Sequence, residues 1–153
     1  MKKRIIPLGL LWCLSAVMLQ AARVDTVLVR SAAMNKDVKV VYVLPDKAIG
    51  KQACPVVYLL HGYGGNARSW VQLKPELPQM ADEKGIIFVC PDGKNSWYWD
   101  SPENPAYRYE TFVTSELVKY TDGNYATIPD SKARAISGLS MGGHGALWSA
   151  IRH

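Results

Sequence analysis

The chain is poor in the residues that build metal centres and cross-linked scaffolds. Its 153 residues include three cysteines and three histidines. No C-x-x-C pair and no Cys/His cluster at zinc spacing occurs, so no metal is expected. No motif calls for an organic cofactor. Internal repeats, heptads and low-complexity tracts are missing, which excludes solenoids and coiled coils. No apolar run reaches the ~20 residues that span a bilayer. A basic patch is also missing. The formal charge is +5, but Lys2, Lys3 and Arg4 account for three of those charges. The remaining basic residues are interspersed with acids, so nucleic acid is not an expected partner.

What is present begins with a leader. Lys2, Lys3 and Arg4 precede an apolar run from Ile5 to Leu19, and Gln20, Ala21 and Ala22 follow with small residues. That is the three-part plan of a secretory signal peptide over residues 1–22. It predicts an exported protein, periplasmic or extracellular, without a stable membrane anchor once the leader is removed. Cys13 leaves with the leader. Cys54 begins one apolar run and Cys90 ends the next. On parallel neighbouring strands their thiols would lie at opposite ends of the sheet. A disulfide needs Cα atoms within about 7 Å, so two free, partly buried cysteines are expected.

Residues 23–153 read as an α/β chain, with hydrophobic residues at 48% of the sequence to fill a core. Val24 to Arg30 and Val38 to Leu44 are β-branched runs around the turn signal Asn35-Lys36-Asp37, which predicts an antiparallel hairpin. Pro55 to Gly65 opens with a continuous apolar run and ends in a Gly-rich loop, and Ile86 to Gly93 gives a second run stopped by Pro91, as in strands buried on both faces of a parallel sheet. Pro78 to Lys84 predicts a short helix ended by Gly85. Phe112, Val113, Leu117 and Tyr120 share one helical face, which predicts a helix from Tyr109 to Tyr120 closed near Gly123. On that helix Glu110, Glu116, Lys119 and Asp122 read as a solvated face. Ala133 to Ser137 is a short third strand running into the elbow, and a helix follows from Met141. The predicted sheet is mostly parallel with an antiparallel edge hairpin.

Two glycine-rich motifs carry the chemistry. Gly138-Leu139-Ser140-Met141-Gly142 fits G-x-S-x-G between a strand and a helix, the context of a nucleophile elbow. The glycines are needed because a strand that turns into a helix within two residues leaves no room for side chains. The competing reading is a glycine-rich helix start that packs tightly or cradles an anion. His61-Gly62-Tyr63-Gly64-Gly65 follows the first buried strand. Its loop is placed to aim the Tyr63 N–H, with the Met141 N–H, at one oxyanion. No histidine is well placed as a base. His144 lies one turn down the elbow helix, His61 braces the glycine loop, and His153 is terminal. Asp92 as an acid would have no histidine to orient. Trp97-Tyr98-Trp99-Asp100 follows the second buried strand, on the sheet edge where ligands bind in such folds, with Trp97, Trp99 and Asp100 its leading candidates. They are candidate substrate contacts, or ordinary loop packing.

The stretches "VVYLLHGYGGNARSW", "VCPDGKNSWYWDSP", "YETFVTSELVKYTDGNYATI" and "RAISGLSMGGHGALWSAIRH" resemble the esterase D-type family of α/β-hydrolases, from about Val24 onward. The resemblance implies an α/β-hydrolase fold, Ser140 as nucleophile, and Tyr63 and Met141 as oxyanion donors. It implies hydrolysis of a small-molecule or polysaccharide ester through an acyl-enzyme, with acetyl or feruloyl groups as candidates. That family places an aspartate and then a histidine on strand-end loops after the elbow helix. This sequence stops at that helix. It is therefore expected to be the N-terminal part of one domain, inactive without the triad acid and base. An S-formylglutathione hydrolase-like thioesterase, an acyltransferase and a catalytically dead glycan-binding domain are the alternatives.

Overall fold

The structure is a computed structural model that describes residues 22–153. All but the last residue of the expected leader lies outside the described residues. Five strands form one sheet in the order β1-β2-β4-β3-β5. They are β1 (Arg23–Ser31), β2 (Lys36–Leu44), β3 (Val56–Leu60), β4 (Ile87–Pro91) and β5 (Arg134–Gly138). β1, β2 and β4 are joined antiparallel, and β4, β3 and β5 run parallel. The hairpin turns at Asn35, which takes a left-handed φ of 50°.

Hydrophobic pattern sets each strand's place. Edge strand β1 buries only alternate residues near its end. β4 is buried at every position, because helices cover both faces of the sheet centre. Val40, Tyr42, Leu44, Val56, Tyr58, Leu60, Ile87 and Val89 point into one core, against Tyr98, Tyr109, Phe112, Leu117 and Met141. Val41, Val43, Leu59, Phe88 and Cys90 point into the other, against Leu77 and Ala81. Cys54 and Cys90 are free thiols on opposite faces.

Three short helices line the first half: α1 (Asp46–Ile49), α2 (Ser69–Leu73) and α3 (Leu77–Lys84). Gly85 ends α3 in the left-handed conformation. The helical segment 109–124 is composite. It runs through α4 (Tyr109–Thr111), a π-helical stretch (Phe112–Glu116) and α5 (Leu117–Asn124). Thr114 Oγ donates to the Glu110 carbonyl at 2.8 Å, inside the widened turn. Gly123 lies within this helix rather than closing it. The stop comes at Tyr125, whose backbone is extended and whose ring stacks on Tyr42 at 4.2 Å.

The solvated face expected on this segment is largely absent. Glu116 accepts from Ser31 Oγ at 2.6 Å and from the Ala33 N–H at 2.8 Å, so it fixes the hairpin turn. Asp122 binds Arg134 and accepts from Thr127 Oγ. Glu110 is buried and accepts from Trp148 Nε1 at 2.7 Å and Arg152 Nε at 2.9 Å, with His153 Nε2 at 3.0 Å. Among the four, only Lys119 is exposed. Partners far away in sequence reverse the local expectation. Glu110 thereby ties the segment to the last helix, α6 (Met141–Arg152).

Burial alone would raise the Glu110 carboxyl. The hydrogen bonds from Trp148, His153 and Arg152 outweigh it and hold the group at about 2. A depressed pKa stabilises the fold above the unfolded value and is lost as pH falls through the folded one. Arg152 and His153 are half exposed, so solvent screening reduces the contribution to about 1–2 kcal/mol. Urea unfolding should therefore separate wild type from Glu110→Gln by that amount at pH 7. The gap should close as pH drops from about 4.5 to about 2. A pH-independent gap would contradict this.

Candidate functional site

β5 ends at Gly138 and α6 starts at Met141, so the chain reverses direction within two residues. Ser140 sits at that reversal with φ 53° and ψ −116°. A serine rarely adopts positive φ, and such strain persists only where the surroundings over-determine it. Here they do so by close backbone packing. A Cβ on Gly138 would lie 2.2 Å from the Gly142 carbonyl carbon, and one on Gly142 would lie 2.2 Å from the Leu60 carbonyl oxygen. The Leu139 N–H donates to that same Leu60 oxygen at 3.2 Å. The end of β3 and the elbow therefore touch main chain to main chain. Ser140 is left exposed.

The loop after β3 is pressed against the serine. A Cβ on Gly62 would come within 3.6 Å of Ser140 Cβ and 3.3 Å of the Leu139 oxygen. Gly64 takes φ 75°, and its N–H donates to Asn95 Oδ1 at 2.8 Å. The Gly65 N–H closes the turn on the Gly62 carbonyl at 3.0 Å. Tyr63 projects its ring into solvent at 65% exposure. Its N–H and the Met141 N–H donate to no group among the described residues. The N–H groups of Tyr63, on the loop pressed against Ser140, and of Met141, at the start of α6, are thus uncommitted.

His61 is buried and fully committed. Its Nε2 accepts the Gly93 N–H at 2.9 Å, which assigns the proton to Nδ1, and Nδ1 donates to the Gly62 carbonyl at 2.7 Å. The neutral ring joins the loops after β3 and β4. Asp92 Oδ1 lies 3.6 Å from Nε2, beyond hydrogen-bond reach. Burial alone would raise the Asp92 carboxyl. The Lys94 ammonium and N–H, at 2.8 and 2.9 Å, hold it well below the usual carboxylate range.

Tyr98, one of the aromatics expected to meet a ligand after the second buried strand, is instead buried and organises the rim. It is fully buried, its Oη accepts the His61 N–H at 2.9 Å, and burial pushes its phenol far up. Gly93 and Gly145 are glycines because Tyr98 fills the space beside both: a Cβ on either would come within 2.6 Å of it. Trp97 and Tyr98 both take left-handed φ, 56° and 58°. With Tyr98 anchored inward, Trp97 and Trp99 turn outward, 45% and 48% exposed. The alternation of Trp-Tyr-Trp was the available signal.

Trp97, Trp99 and His144 line a cavity of about 290 Å³. His144 Nδ1 lies 3.1 Å from the Trp97 carbonyl, and its ring stands edge-on to Trp97 at 5.5 Å. Asp100 is near this cavity in sequence but its carboxylate is occupied. It accepts the Thr111 N–H at 3.0 Å and Thr111 Oγ at 2.5 Å. Among the described residues no group of three His, Cys, Asp or Glu could hold a metal ion. Nor is any helix there long and apolar enough to cross a membrane.

The elbow glycines should respond unequally to a methyl group. Gly142→Ala should destabilise by more than about 3 kcal/mol, since the Leu60 backbone cannot move away. Gly143→Ala meets only the Gly138 oxygen at 3.4 Å. It should be neutral or gain up to about 1 kcal/mol from helix propensity. Thermal melts of the two variants decide the point, and equal losses would contradict the packing described.

With the geometry in place, comparison with known proteins is informative. Residues 31–153 match the family described as "Putative esterase". An acetyl esterase from Caldicellulosiruptor saccharolyticus is 29% identical over 132 residues, covering 80% of this chain and 48% of that protein. The S-formylglutathione hydrolase structure from Agrobacterium tumefaciens superposes with a TM-score of 0.77 at 28% identity, covering 87% of this chain and 54% of that one. A ferulic acid esterase structure gives 0.75 at 30% identity, with coverages of 88% and 56%. The chain spans about half the length of these relatives. Its fold is that of α/β-hydrolase esterases, and the chain belongs to this esterase family.

Proposed function

We propose that the protein carrying this chain is an exported serine esterase, with Ser140 as its nucleophile. The observation that carries the reading is the strained, exposed Ser140 at the strand-to-helix turn, with the Gly62 loop against it and the Tyr63 and Met141 N–H groups uncommitted. Ser140 Oγ would attack the ester carbonyl carbon while its proton passes to a base. The developing oxyanion would be held by the Tyr63 and Met141 N–H groups, each worth about 3 kcal/mol when well aimed. Collapse expels the alcohol and leaves an acyl-serine, which water then hydrolyses.

The base and its acid partner are proposed to come from polypeptide outside residues 22–153. All three histidines are engaged elsewhere: His61 with Gly62 and Gly93, His144 with Trp97, and His153 with Glu110. Without a base, serine is a weak nucleophile, so these residues alone should turn over slower by orders of magnitude.

The Trp97–Trp99 cavity supports an ester with an aromatic acyl group or a sugar ring on polysaccharide, since aromatic faces stack on either. Export rests on the leader. One detail is compatible with cleavage after Ala21: the buried Ala22 nitrogen lies 2.7 Å from Asp82 Oδ2, where a new ammonium would meet a carboxylate. The exposed tryptophans also favour a second reading, a glycan-binding domain without catalysis.

Hydrolysis of p-nitrophenyl acetate and of methyl ferulate by the full translated protein tests the proposal. Ser140→Ala should lower kcat by at least about 1,000-fold on both substrates. Trp97→Ala should raise KM for the ferulate roughly tenfold while changing the acetate little. Glycan binding that survives Ser140→Ala, with no hydrolysis by wild type, would establish the second reading instead.

A further inference from the structure

A second cavity lies on the same rim, beyond β4 and away from Ser140. It measures about 240 Å³ and is lined by Lys36, Lys39, Lys94, Asp92 and Tyr109, among others. β4 is two strands from β5, so the cavity stands roughly 10 Å or more from the elbow. Neither the serine nor the tryptophans contribute to it.

Its charge is unbalanced once internal pairs are removed. Asp92 is paired with Lys94: Oδ2 takes the Lys94 ammonium at 2.8 Å and Oδ1 takes the Lys94 N–H at 2.9 Å. Asp37, also on the wall, faces Arg30 at 3.7 Å. That leaves Lys36 and Lys39, neither of which has a carboxylate within salt-bridge distance among the described residues.

Lys36 is held in place without being neutralised. Its ammonium stands over the Tyr109 ring at 4.8 Å and the Tyr107 ring at 5.1 Å, and donates to the Ala106 carbonyl at 2.5 Å. Aromatic faces and one carbonyl fix a cation's position but leave its charge in full, with donors to spare. Burial, and then the nearby Lys94 charge, lower the Lys36 pKa from its ordinary value, with Asp92 opposing them in part. Crowded, partly desolvated ammonium groups are what an incoming anion relieves.

We infer that this cavity is a binding site for an anionic group, a carboxylate or a phosphate, held by Lys36 and Lys39. A carboxylate would come from an acidic sugar of a polysaccharide, and a phosphate from free phosphate or a phosphoryl group. The site does not depend on Ser140 being a nucleophile, and its test reads binding rather than turnover.

The experiment titrates the full chain with glucuronate and, separately, with inorganic phosphate, following amide chemical shifts at low ionic strength. Saturable shifts around Val38, Lys94 and Tyr109 are expected for at least one anion, with a dissociation constant on the order of 1 mM. Lys36→Gln and Lys39→Gln should each weaken it at least tenfold, while Lys119→Gln, the same charge change on an exposed helix face, leaves it unchanged. Lys39 is exposed, so its variant serves even if Lys36→Gln fails to fold. Tighter binding of glucuronate identifies the acidic-sugar source, and tighter binding of phosphate the other. Absence of saturation with both anions, or equal weakening by Lys119→Gln, overturns the inference.

Discussion

The rim of this sheet depends on one main-chain contact, between the Leu60 carbonyl at the end of β3 and Gly142 at the start of α6. A Cβ placed there would lie 2.2 Å from the Leu60 oxygen. The same oxygen receives the Leu139 N–H. β3 and β5 pair in parallel up to Leu60 and Gly138, so the two strands reach the rim together. The turn that follows β5 then has nowhere to go but sharply back over β3, and Ser140 is forced to positive φ. Strain at the serine is thus the consequence of two backbones sharing a space that side chains would occupy.

A second layer of contacts keeps the loops around that turn in register. His61 accepts from the loop after β4 and donates to its own, while Tyr98 receives the His61 N–H from below. Tyr98 also fills the space beside Gly93 and Gly145, so it meets the β4 loop and the elbow helix together. One neutral imidazole and one buried phenol therefore join the loops after β3 and β4 through directed hydrogen bonds in a low-dielectric setting, where such bonds hold geometry most firmly, and Tyr98 packs that joint against the elbow helix. The N–H groups of Tyr63 and Met141 stay uncommitted beside this bracing.

The parts of this arrangement visible in the sequence are those fixed by short-range rules. Continuous apolar runs gave away β3 and β4, and the glycines of the elbow marked a turn too tight for side chains. The adjacency of the hairpin to β4 was not legible, because strand order is set by packing rather than by neighbouring residues. The acids of segment 109–124 were misjudged for a similar reason. Glu110, Glu116 and Asp122 sit at helix-surface spacing, and what removes them from solvent is Trp148, Ser31 and Arg134, all distant in sequence. Tyr98 reads in the sequence as one more stacking aromatic beside two tryptophans, and nothing local separates its role from theirs. Its anchoring role needs Gly145, nearly fifty residues later. The two sites of the rim differ in the same way. The serine site announces itself through glycine spacing, whereas the lysine cavity exists only where β2, β4 and the Tyr107–Tyr109 loop meet.

The central claim is that the strained serine is the group that becomes acylated. Rapid quenching of the full translated protein with p-nitrophenyl acetate, followed by mass spectrometry of its peptides, tests it directly. The account predicts one acetyl group on the peptide that contains Ser140, formed in step with a burst of p-nitrophenol and absent from Ser140→Ala. Acetylation elsewhere with an unmodified Ser140, or steady hydrolysis that persists in Ser140→Ala, would contradict it.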